Sequence, residues 1–119
     1  MRSHPNYMLA AIILILLGLT GCEKEVNITG DAGFLVINEI NSEVTIYFDS
    51  DNIGKIDAND SRKWGVPSGS HKIKAKCSGL KNYEETIEFH KGQTTKLTLT
   101  EDSKAKTIGV DHTNHIYLP

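Results

Sequence analysis

From Phe34 onward, apolar and polar residues alternate with a period of two, which is the signature of half-buried strands. "FLVIN" is a short β-branched run. "EVTIYFD" sets Val44, Ile46 and Phe48 against Thr45 and Tyr47. "SRKWGV" puts Trp64 and Val66 on one side. "HKIKAKC" places Ile73, Ala75 and Cys77 on one face and Lys72, Lys74 and Lys76 on the other. "YEETIEFH" groups Tyr83, Ile87 and Phe89 opposite Glu84, Thr86 and Glu88, and "QTTKLTLT" turns Leu97 and Leu99 inward. Between these runs, "DSDNIG", "VPSGS", "CSGLKN" and "HKGQ" collect the residues that favour turns. After residue 21 no stretch of helical length follows a 3.6-residue period. The pattern predicts an all-β fold, a small antiparallel β-sandwich. Lys72–Lys76 and Glu84–Glu88 are expected to face each other across a hairpin, so that opposite charges help to set its register.

The chain begins differently. An apolar run from Met8 to Leu19 is too short for a membrane-spanning helix, which takes ~20 residues. Arg2 and no acid precede it, and small residues close it, as in a secretory signal peptide. Leu19-Thr20-Gly21-Cys22 resembles the bacterial lipobox. That resemblance implies a diacylglycerol on the Cys22 sulfur and cleavage after Gly21, so that residues 1–21 are a cleaved lipoprotein signal peptide. Residues 22–32, polar and without a period, read as a lipidated tether. Glu23 stands where an Asp would be the inner-membrane retention signal of enteric bacteria, which leans the expected localisation to the outer membrane.

A chain starting at Cys22 has 98 residues, enough for one small domain. Removing residues 1–21 lowers Lys+Arg from 13 to 12 against 15 acids, a net charge of −3. That balance argues against nucleic acid as a partner. With Cys22 acylated, Cys77 has no cysteine to pair with, and its place on an apolar face reads as a buried structural thiol.

Several short motifs fall at fixed places in this β pattern. They are Val44-Thr45-Ile46-Tyr47-Phe48-Asp49, then Ile53-Gly54, then Pro67-Ser68-Gly69-Ser70-His71, then Gly79 with Tyr83, and finally Gly92-Gln93-Thr94. Their spacing resembles the PEGA domain, a small bacterial sandwich of the transthyretin-like, carboxypeptidase-regulatory type with Greek-key connections. The tetrad that names the family falls on Asn41-Ser42-Glu43-Val44, where its last residue alone is apolar. The resemblance covers residues 33–101 and implies a β-sandwich without catalytic residues. Residues 102–119 are left as a polar tail, with "TIGV" and "HIYL" as extra short strands.

Asp49, Asp51, Gly54, Asp57 and Asp60 fall at positions 1, 3, 6, 9 and 12 of a calcium loop, but Ile53 occupies a ligand position and the flanks are strand-like. His112 and His115 stand three apart, with His71 and His90 elsewhere, and nothing assembles a zinc set. Neither a metal nor another cofactor is expected, and there is no G-x-S-x-G or phosphate-binding motif. Trp64, the single Trp, shares parity with Val66 and is expected in the core; exposed, it would be a ligand contact for a sugar ring or a partner's apolar anchor. The expected function is a membrane-anchored, non-catalytic envelope module, binding or structural, for a protein or a cell-wall glycan. The alternative is a lipid-anchored inhibitor or immunity-type protein of a secreted enzyme, with residues 101–119 entering a cleft. A small envelope hydrolase is the third reading.

Overall fold

The computed structural model describes residues 24–116, with side chains through Asp111. Eight strands form: β1 (Ala32–Asn38), β2 (Val44–Phe48), β3 (Asp51–Ile56), β4 (Ser61–Val66), β5 (Gly69–Lys76), β6 (Tyr83–Phe89), β7 (Gln93–Asp102) and β8 (Thr107–Ile116). They make two four-stranded sheets, ordered β4-β1-β7-β8 and β3-β2-β5-β6. The fold is the expected all-β sandwich. Every pairing is antiparallel except one, since β1 runs parallel to β7 from Gly33↔Thr94 to Asn38↔Leu99. Alternation along each strand cannot reveal a pairing between strands so far apart in the chain.

The core follows the period of two. Phe34, Val36, Val66, Leu97 and Leu99 come inward from one sheet, and Val44, Ile46, Ile73, Ala75 and Phe89 from the other, all with 0–1% of their surface exposed. Burying one such aliphatic or aromatic side chain is worth about 1.5–3 kcal/mol. Phe34 links the sheets, its ring 5.2 Å from Phe89 in an edge-on contact, and Phe89 continues to Phe48 at 5.6 Å.

Three segments depart from the sequence reading. "DSDNIG" is a turn only at Asp49-Ser50, where both residues have positive φ (50° and 76°), and strand β3 starts at once with Asp51. Two successive residues of that kind make the tight hairpin loop that matches strand twist. Residues 25–31 are docked instead of hanging as a tether. The Val26 amide donates to the Asn52 carbonyl at 2.7 Å, Ile28 packs on the core, and Gly30 lies so close to the Val66-Pro67 backbone that a Cβ would clash there. Residues 107–116 form one strand, paired with β7 along ten positions from Gln93↔Ile116 to Asp102↔Thr107. The polar stretch before it is the hairpin turn, in which Asp102 Oδ1 accepts from the amides of Lys104 (3.1 Å) and Ala105 (3.2 Å).

The lysine and glutamate strands do form a hairpin. Lys74 stands opposite Glu84, and the ion pair runs diagonally, Lys72 Nζ to Glu84 Oε2 at 3.3 Å. Tyr47, expected on the solvent face, is buried under this row, with Lys74 Nζ and Lys76 Nζ 5.3 and 5.4 Å from its ring centroid. Lysine stems cover the ring while their charges stay in water.

Candidate functional site

Cys22 lies outside the described residues. Val26, four positions on, is held against β3. Four residue steps span at most ~14 Å of extended chain. Whatever holds Cys22 therefore holds the sandwich nearby.

Trp64 is 7% exposed and sits in the core. Three contacts fix it. Its Nε1–H donates to the Ile53 carbonyl at 2.9 Å, its ring lies 5.8 Å from Phe34, and the Arg62 guanidinium carbon stands 4.9 Å from its ring centroid. The Ile53 carbonyl is free for this bond because β3 bulges there. Ile46 pairs with Gly54 and Tyr47 with Asn52, so Ile53 is an extra residue. Asn52 Oδ1 spans the bulge by accepting from the Gly54 amide at 2.9 Å. Gly54 has φ +138°, and Arg62 Nη1 occupies the space a Cβ would need. Arg62 goes on to Glu25 Oε2 at 3.2 Å. The indole thus joins the edges of the two sheets, and no open face is left for stacking a sugar.

A concavity adjoins this corner. It holds about 440 Å³, with Gly30, Gly33 and Gly65 among its walls beside Trp64, and with Lys63, Gln93 and Thr94 supplying polar groups. It is an open surface groove whose lining is more apolar than polar.

Asp49 and His71 meet at the tip of the β2–β3 hairpin. Asp49 Oδ2 is 2.6 Å from His71 Nδ1, and Asp49 Oδ1 accepts from the Lys72 amide at 2.9 Å. The other ring nitrogen, Nε2, lies 3.2 Å from the Ser68 carbonyl, and the imidazole rests 4.5 Å from Phe48. Burial pushes the Asp49 carboxyl up, but the Lys72 amide and His71 outweigh it and hold it below its ordinary 3.8. This Asp–His pair has no nucleophile facing it, because Nε2 is turned to a backbone carbonyl. It reads as a clasp between the β2–β3 turn and β5.

The calcium-like spacing does not assemble a loop. Residues 51–56 are a strand, so Asp49 and Asp57 stand at its two ends, roughly 20 Å apart at ~3.3 Å per residue. Among the described residues no group of three or more His, Cys, Asp or Glu could hold a metal ion. His112 and His115 lie in β8, at positions whose side chains are outside the described ones.

Asn38 was not singled out by its sequence. It is 1% exposed. Its Nδ2 donates toward the carbonyls of Ser42 (2.9 Å), Ile56 (3.2 Å) and Asp57 (3.1 Å), while Oδ1 accepts from the Ile40 amide (2.9 Å). It ties the β1–β2 loop to the β3–β4 turn. A signal existed, because Asn38 shares inward parity with Phe34 and Val36. Cys77 is buried, and burial first, then Glu101, pushes its thiol up.

The PEGA domain family model matches residues 32–104, more than half of the chain, so the protein belongs to the PEGA domain family. No curated protein matches the chain as a relative. The match spans β1 through β7, and β8 lies beyond it.

Proposed function

We propose that this protein is a lipid-anchored module of a bacterial envelope that binds a protein or a cell-wall glycan and does no chemistry on it. Membership of the PEGA family supports the module, since such domains typically serve as non-catalytic binding or structural units. The observation that carries the anchor is Leu19-Thr20-Gly21-Cys22 followed at once by a docked segment. Acyl chains on Cys22, at about 0.8 kcal/mol per buried methylene, hold a small domain on a membrane. The short span to Val26 then keeps the sandwich against that surface. Glu23 favours the outer membrane. The groove beside Gly33 and Gly65 is the ligand position this reading prefers, with Trp64 as its wall.

The test is Cys22→Ser. An alcohol is a far poorer nucleophile than a thiolate. The variant should take up no labelled palmitate and should run as the larger precursor, with its β-type circular dichroism kept. Normal cleavage with palmitate still incorporated would sink the anchor. Binding is tested separately, by pull-down from solubilised envelopes and by sedimentation with purified peptidoglycan; failure of both removes the binding role.

The inhibitor reading needs a flexible tail for a cleft. Residues 107–116 form a strand paired along β7, so that reading keeps only the residues after Ile116.

A further inference from the structure

A sandwich of two open sheets has four edge strands, here β4, β8, β3 and β6. Open edges carry unpaired amides and carbonyls and invite another strand, so proteins guard them with charge, bulges or cover. Three of these edges are guarded. On β3, the bulged strand, the carbonyls of Asn52, Ile53 and Lys55 are capped by the Val26 amide (2.7 Å), Trp64 Nε1 (2.9 Å) and Arg62 Nη1 (3.4 Å). On β4, Arg62 and Lys63 bring charge, and the Gly30 backbone closes over Gly65, its carbonyl oxygen 3.1 Å from where a Cβ would stand. On β6, Glu84, Glu85 and Glu88 line a seven-residue strand.

Among the described residues, the β8 edge shows none of these devices. It is ten residues long, and its pairing with β7 runs without a register shift. Its sequence, "TIGVDHTNHI", contains no Lys, Arg, Glu or Pro, and Asp111 is its one formal charge. Its first residue is met from another direction, where Lys81 bridges to Thr107. Val110, on this strand, is 37% exposed, one of two large apolar side chains so exposed among the described residues. The strand also lies outside the family match, which ends at residue 104.

We infer that β8 is a pairing edge and that its occupant is a second copy of this chain, added antiparallel to make one continuous eight-stranded sheet, β4-β1-β7-β8 and its two-fold mate. Charge selects a second copy. Self-pairing at β6 would bring Glu84 and Glu88 on one face and Glu85 on the other against their like, and at β4 Arg62 and Lys63 against theirs, whereas β8 brings only Asp111. Self-pairing also covers Val110. The inference does not rest on the lipid anchor.

The full chain in detergent is measured by light scattering across concentration, together with hydrogen exchange resolved by strand. The expected result is twice the protomer mass at high concentration, with β8 amides at least tenfold better protected there than on dilution. Val110→Lys sets two lysines near the axis and should return the protein to protomer mass, as should Thr113→Lys. Thr86→Lys on the β6 edge should leave the dimer intact. Circular dichroism and Trp64 emission confirm that each variant is folded. A protomer mass at every concentration overturns the inference. So does a dimer that survives both β8 lysines, or β8 protection that appears only when a foreign extended peptide is added.

Discussion

Asp49 and His71, 22 positions apart, meet at 2.6 Å and clasp the tip of the β2–β3 hairpin to β5. The carboxylate also accepts from the Lys72 amide. Because these contacts depress the Asp49 pKa below 3.8, their stabilisation is present above that value and is lost as pH falls through the folded-state pKa. Asp49 is half exposed, so Asp49→Asn should cost only about 1 kcal/mol at pH 7. Urea midpoints of the two proteins should differ by a constant amount from pH 7 to about 5 and converge in acid below about 4. A gap that persists at pH 2 would show that the carboxylate's charge is not what matters.

Trp64→Phe keeps the ring but removes the donor to Ile53. An unpaired buried carbonyl costs about 1–3 kcal/mol, and chemical denaturation should read a loss of that size. Trp64 is the single Trp, so native emission should be blue-shifted and should move red only with global unfolding. Red-shifted native emission would contradict its burial.

Asn38→Leu deletes the shared bonds to three carbonyls and one amide. The expected loss is on the order of 3 kcal/mol, larger than for any exposed Asn, because the partners are left in a dry site. Asn41→Leu, which removes one exposed side-chain bond with Asn59 and leaves the left-handed Asn59 backbone (φ 60°) in place, is the comparison and should cost under about 1 kcal/mol. Equal losses would deny Asn38 its role as a tie between loops.

The Cys77 thiol, raised by burial and by Glu101, should react with a thiol reagent at pH 8 only as fast as the domain opens. Labelling should be at least a hundredfold slower in the folded protein than in urea. Rapid labelling of the native state would place Cys77 at the surface.

Much of the sandwich was legible because one face of each strand must be apolar. Ile73-Ala75-Cys77 and Leu97-Leu99 needed no further information, and their burial is near complete. β3 was hidden by its composition. Asp51, Asn52 and Gly54 look like a loop, yet Gly54 is there to admit Arg62 from β4, and Asn52 spans a bulge that only the pairing of β3 with β2 reveals. The docking of residues 25–31 left a faint trace in the spacing of Val26 and Ile28. β8 left less, since an edge strand beyond the main core needs little alternation. Of the candidate site, the sequence offered Trp64 and the partners Asp49 and His71 as separate residues. The clasp and the glycine-floored groove arise only when distant strands are brought together.

The docked segment at the start of the sandwich also decides how the molecule would bear tension. A pull on the chain ahead of Val26 first meets one hydrogen bond, from the Val26 amide to the Asn52 carbonyl, and one ion pair, Glu25 to Arg62, which release a few residues of slack. It then reaches β1, which is interior to its sheet and held by six register positions against β4 and six against β7. Those bonds lie crosswise to the pull and are loaded in shear, so they must fail together instead of unzipping in turn. Single-molecule stretching from the N-terminal side should show a small early give and then one abrupt rupture. Such a domain would work as a fuse with a shock absorber in front of it.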